Sequence, residues 1–163
     1  QLNAQGFDTR LIIYTSDTSR ITYQSRMKEL STIEWRGNID PTEIPKVLRK
    51  ASALLYVESF DTLFKNYTRY SFSTKLSQYL ASSRPIIAFA PKDIASTRYL
   101  EKHEAGLVAH TRELLDIHLK QLVINANLRK YIGEKGYKVS MSYHTRESIN
   151  TTLQNTLMIN LKP

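Results

Sequence analysis

Residues 53–90 read ALLYVESFDTLFKNYTRYSFSTKLSQYLASSRPIIAFA. The two ends of this stretch are short apolar runs, ALLYV at 53–57 and PIIAFA at 85–90. Continuous rather than alternating apolarity belongs to strands covered on both faces, as in a parallel sheet. Between them, residues 73–83 place Leu76, Tyr79 and Leu80 on one side of a helix. Strand, helix and strand in that order make a βαβ unit with parallel strands. The interval 58–72 carries Phe60, Phe64, Tyr67 and Tyr70 among polar residues and is predicted as one long irregular loop. A loop of that length in a compact domain is more often functional than idle.

The same alternation extends in both directions. Upstream, β-rich runs at 10–15 (RLIIYT) and 33–39 (IEWRGNI) flank residues 21–30, where Tyr23, Met27 and Leu30 share a helical face. Trp35, inside the second run, is expected in the core. Pro41 then opens a helix whose buried stripe is Ile44, Val47, Leu48 and Ala51. Downstream come a short helix over 94–103 and a strand over 106–109. Only helices follow, over 112–123, 128–143 and 146–161, with Gly133 and Gly136 interrupting the middle one. The predicted fold is α/β: a Rossmann-like parallel sheet with helices on both faces and C-terminal helices packing back, in a single domain over 1–163.

Composition removes several function classes. The absence of Cys excludes disulfide scaffolds, thiolate metal sites and cysteine nucleophiles. Glycines at 6, 37, 106, 133 and 136 allow neither GxGxxG nor GxxxxGK[ST]. Asp17, after the first strand, therefore lacks the turn that would make it a cofactor-ribose acid, and an N-capping or hydroxyl-binding role is expected. His103, His110, His118 and His144 have no ligand-pair spacing and read as surface or capping residues. No metal and no cofactor are expected. Lys and Arg total 23 against 15 acids, a net charge of +8, but they are scattered and form no basic run. A solvated basic surface is the reading this favours, with no nucleic-acid partner. No apolar run approaches the roughly 18 residues of a membrane span, and no signal-peptide pattern opens the chain, so a cytoplasmic location is expected.

In open α/β sheets ligands bind beyond the carboxyl ends of strands, where loops enter helix N-termini. That rule selects the loops after each strand, and 59–75 is the richest of them. Ser71, Ser73 and Thr74 precede or open a helix whose first turn carries Lys75. Hydroxyls, an ammonium and open N–H groups at one helix N-terminus suit a phosphate even without glycine. Gln78, one turn on, can reach a group bound beside it. Taken alone, the triplet reads equally as an N-capping Ser73 and a surface Lys75.

The wider pattern adds a family. Ser59, Phe72, Ser73, Lys75, the run Gln78-Tyr79-Leu80-Ala81 and the run Ser83-Arg84-Pro85-Ile86-Ile87 follow one another in order. This series resembles the C-terminal donor-binding domain of GT-B glycosyltransferases of the family 4, or group 1, type. The upstream IEWRGNI with PTEIPKVLRKASALLYV, and the downstream LRKYIGEKGYKVSMSYHTRESI, resemble that family's flanking segments, so the likeness covers nearly the whole chain.

The resemblance implies a sugar-nucleotide donor site. Gly37, Asn38 and Ile39 would meet the base, and Ser73, Thr74 and Lys75 the diphosphate, with Lys75 offsetting charge on the leaving group. Gln78 stands where the family carries its ribose-binding Glu, and an amide can also donate and accept there. Tyr70 stands eight residues earlier, at the position of the Glu beside the donor sugar, and with Lys75 makes the catalytic pair. The implied activity is that of a retaining, metal-independent hexosyltransferase using a UDP- or GDP-sugar, with a glycan or lipid-linked acceptor in cell-surface polysaccharide biosynthesis. The implied chain starts at the end of the domain's first helix and lacks the N-terminal acceptor domain, so it binds a donor without turning it over. Basic segments at 46–50 and 120–138 suggest peripheral contact with the inner face of a membrane. Two other readings stay open: a non-catalytic nucleotide- or partner-binding α/β module, and a nucleic-acid-binding Rossmann-like domain.

Overall fold

The computed structural model describes residues 2–24, 27 and 31–160. The chain divides into two compact units, Gln1–Val47 and Leu48–Pro163.

In the first unit, β1 (Leu11–Tyr14) and β2 (Ile33–Arg36) pair in parallel, with Leu11 opposite Ile33 and Tyr14 opposite Arg36. Helix α1 (Asp17–Gln24) lies between them in sequence and starts earlier than the apolar spacing predicts. The reason is local: the Ser16 hydroxyl accepts from the Ser19 N–H at 3.3 Å and opens the helix there. Asp17 is the first helical residue and pairs with Arg20 at 4.0 Å. Leu30, expected on the helix face, lies outside the described residues. Leu11 and Ile12 are 39% and 43% exposed, so the apolar run of β1 is not that of a strand covered on both sides. Trp35 is partly exposed in β2. Helix α2 (Ile44–Lys50) begins after a turn at 41–43 rather than at Pro41.

The second unit holds three parallel strands, β3 (Leu54–Val57), β4 (Ile86–Phe89) and β5 (Leu107–Ala109), in spatial order β3-β4-β5. Leu54 lies opposite Ile86, and Ile87 opposite Leu107. Six helices follow the strands: α3 (Thr62–Thr68), α4 (Thr74–Ala81), α5 (Ala95–Lys102), α6 (Arg112–Ile124), α7 (Ala126–Tyr143) and α8 (Arg146–Asn160). Alternation along β4 splits the core in two. Ile86 and Ala88 pack with Leu76, Leu80, Ile94, Leu100 and Val139, whereas Ile87 packs with Leu122 and Ile132. Here the reading of a strand buried on both faces holds, because helices supply side chains to each side. No helix among the described residues is long and apolar enough to cross a membrane.

Two expectations are corrected. Residues 58–72 are not one irregular loop, because α3 occupies 62–68 with the Asp61 carboxylate accepting from the Leu63 N–H at 2.8 Å. Gly133 and Gly136 do not interrupt α7, which is continuous over 18 residues. They mark close packing instead, since a Cβ at Gly133 would lie 2.3 Å from the Ser83 carbonyl oxygen at the end of α4.

Candidate functional site

Helix α4 is fixed by its buried side. Leu76 and Leu80 are fully buried, each worth about 1.5–3 kcal/mol relative to exposure. The chain entering α4 is held by Phe72, whose ring lies edge-on to Tyr99 at 4.9 Å and stacks on His144 at 5.4 Å. Tyr99 in turn hydrogen-bonds His144 through its hydroxyl, 2.9 Å from Nε2. Burial, with a smaller contribution from His103, holds the His144 imidazole below its usual value.

Ser73 occupies the N-cap position with extended backbone angles, yet its hydroxyl caps no N–H of the first turn. Its own N–H donates to the Ser96 hydroxyl at 3.2 Å, and its carbonyl accepts from Leu76 at 3.0 Å. The Thr74 and Lys75 N–H groups at the head of the helix are left for a ligand or water. Thr74, Lys75 and Gln78 are all exposed on the outward side of α4, while Ser73 is half-buried. The structure thus brings four of the expected residues onto one helix end. Tyr70 is 80% exposed just before it, with the Arg69 guanidinium 5.5 Å from its ring centre. In the other unit, Gly37, Asn38 and Ile39 form the segment leaving β2, and a Cβ at Gly37 would meet nothing within 4 Å.

A polar cluster behind Ser73 is not among the sequence-derived candidates. Tyr56, buried near the carboxyl end of β3, donates to the Glu58 carboxylate at 2.7 Å. Burial pushes the Tyr56 hydroxyl up to about 12; hydrogen bonds with Ser96 and Ser73 work against that rise, and Glu58 adds to it. Tyr56, Glu58, Ser73 and Ser96 therefore form one connected group joining the end of β3, the head of α4 and the head of α5. The i, i+2 spacing of Tyr56 and Glu58 on a strand is the signal that could have found half of it. Ser96, 23 residues from Ser73, leaves no local signal. His110 and His118 serve elsewhere: His110 Nδ1 lies 3.0 Å from the Ala90 carbonyl and His118 Nε2 3.2 Å from that of Val108.

Parallel strands with crossover helices, and an open helix N-terminus beyond the strand ends, define a Rossmann-like α/β domain. The chain belongs to the glucosyltransferase 3-like, C-terminal domain family, which it matches over residues 2–152. A crystal structure of WaaG, a glycosyltransferase involved in lipopolysaccharide biosynthesis, shares the fold with a TM-score of 0.61 at 14% identity. That match covers 82% of this chain and 34% of WaaG, so the chain spans about a third of that protein's length. No curated protein sequence matches the chain.

Proposed function

We propose that residues 1–163 form the donor-binding part of a longer, two-domain retaining glycosyltransferase. This enzyme moves a hexose from a UDP- or GDP-sugar to a glycan or lipid-linked acceptor of a cell-surface polysaccharide, without a metal. The observation that carries this reading is the head of α4, where an uncapped helix N-terminus, Thr74 and Lys75 stand exposed together in a chain of this family. Its N–H groups and the Lys75 ammonium hold the diphosphate and stabilise charge as the nucleotide departs. Gln78 binds the ribose, and Tyr70 stands beside the donor sugar. Glu58, an acid held at this edge by Tyr56, can accept from a sugar hydroxyl.

Calorimetric titration with UDP, GDP and ADP tests the proposal. One base is preferred, and Lys75→Ala weakens binding about ten- to a hundredfold, the worth of a hydrogen bond to a charged group. Absence of binding to all three, or equal binding by the variant, refutes the site. The second reading, a non-catalytic binding module, is favoured by Tyr70 and Gln78 standing at the family's two carboxylate positions. Nucleotide binding without sugar transfer in the longer protein would select it.

A further inference from the structure

Helix α3 is built inside out. A surface helix normally turns its apolar stripe to the core and its polar side to water. In this segment the half-buried positions are Lys65 and Thr68, while Leu63, Phe64 and Tyr67 are 62%, 58% and 77% exposed. Phe60, at 45%, continues the same outward face before the helix. Spacings of three and four residues bring Leu63, Phe64 and Tyr67 onto one side of α3.

The inversion is enforced from within. Lys65 reaches Asp93 at 2.9 Å, the Arg69 carbonyl accepts from the Ala95 N–H at 2.9 Å, and the Phe60 ring lies 4.9 Å from that of Phe89. Three ties to two neighbouring segments fix the backbone, so the aromatic face cannot roll inward without breaking an ion pair and a hydrogen bond. A contiguous apolar surface held outward in this way marks an interaction site.

Charge selects the occupant. Residues 60–75 carry Arg69 and Lys75, besides the Lys65 that is paired with Asp93, against Asp61, whose carboxylate already caps α3. Arg98 adds an exposed guanidinium, 3.5 Å from the Arg69 carbonyl. A second copy of a chain with net charge +8 would bring like charges together around the patch. An anionic bilayer interface accepts all three features at once: aliphatic and phenyl groups at the acyl boundary, tyrosine at headgroup depth, and cations beside lipid phosphates. We propose that α3 is a membrane-docking surface for anionic lipid, with Leu63, Phe64 and Tyr67 entering the interface. This places the contact at 63–67 rather than at the basic segments 46–50 and 120–138, and it stands apart from the nucleotide reading.

Flotation of the 163-residue chain with vesicles of phosphatidylcholine mixed with phosphatidylglycerol, and of phosphatidylcholine alone, tests it. The chain floats with the anionic vesicles, less so as salt rises. A Phe64→Ser/Tyr67→Ser variant loses about tenfold or more of that partitioning. Both replaced side chains are exposed, so the variant keeps its circular dichroism and melting temperature. It also keeps any nucleotide binding, whose failure would strike the donor-site reading alone. Tyr137→Ser/Met141→Ser, exposed apolar positions on α7, leaves flotation unchanged. Failure to float with anionic vesicles, or equal flotation of the α3 variant, overturns the proposal. A parent dimer in sedimentation equilibrium that the α3 variant abolishes overturns it in favour of self-association.

Discussion

Replacing Gly133 by Ala sets two effects of opposite sign against each other. Inside a helix, Ala is favoured over Gly by about 0.5–1 kcal/mol. At this position the new Cβ would lie 2.3 Å from the Ser83 oxygen and 2.9 Å from its carbonyl carbon. Comfortable carbon contacts need about 3.5 Å, so one helix must move by about 1 Å. The obstacle is backbone, and Ser83 already sits at φ 59° in the left-handed region, which leaves it few alternative conformations. Moving α7 also disturbs Ile132 and Val139 in the two halves of the core. Overpacking costs of about 1–3 kcal/mol, with that added loosening, exceed the propensity gain, and net destabilisation of about 2 kcal/mol is expected. Gly136 supplies the comparison, because its Cβ would meet Leu80 Cδ2 at 3.4 Å, an ordinary contact with a flexible side chain. Gly136→Ala is therefore neutral or stabilising by up to about 1 kcal/mol. Urea unfolding of both variants reads the difference, and in thermal melts Gly133→Ala falls by about 4–8 °C. If the two substitutions shift stability alike, the close approach of α7 to Ser83 is not what holds this seam.

Further outcomes concern buried polar groups. The fully buried Thr97 hydroxyl lies 2.9, 3.1 and 3.0 Å from the carbonyls of Pro91, Lys92 and Ile94. Thr97→Val leaves these acceptors short of a donor and lowers the urea-derived stability by about 1–3 kcal/mol; an unchanged midpoint would mean that water reaches the loop. For His144, the folded state favours the neutral ring, so its contribution is complete above the unfolded value of about 6.5 and is lost as pH falls through the depressed folded value. Unfolding free energy measured across that window falls more steeply for the parent than for His144→Gln, and parallel slopes would contradict the assignment.

The helix and strand around the candidate site were legible because burial there follows local periodicity. The expected helix over 73–83 is α4 at Thr74–Ala81, and the expected strand over 85–90 is β4 at Ile86–Phe89. Lys75 and Gln78 could be placed together for the same reason, since both depend only on helical spacing. Helix α3 was hidden by its own inversion: its aromatic residues face water, and the ties that hold it run to Phe89, Asp93 and Ala95. The α7 glycines misled because single-residue propensity disfavours them in a helix, whereas packing against residue 83 requires Gly133 and Gly136 faces Leu80 in ordinary contact. Contacts such as Phe72 with His144 join residues 72 positions apart, beyond the reach of any local pattern.

The bond from the Ala95 N–H to the Arg69 carbonyl makes one backbone amide a reporter. The N–H at the start of α5 has no partner within its own helix, so its protection from solvent deuterium depends on segment 58–72 staying in place. An excursion that lifts α3 exposes Ala95 while amides deeper in α5, such as that of Leu100, stay bonded. The exchange rate at this site then gives the free energy of α3 opening by itself, separately from global unfolding. A surface that settles onto a bilayer would slow that exchange, so the same proton that dates the opening also senses what covers the helix.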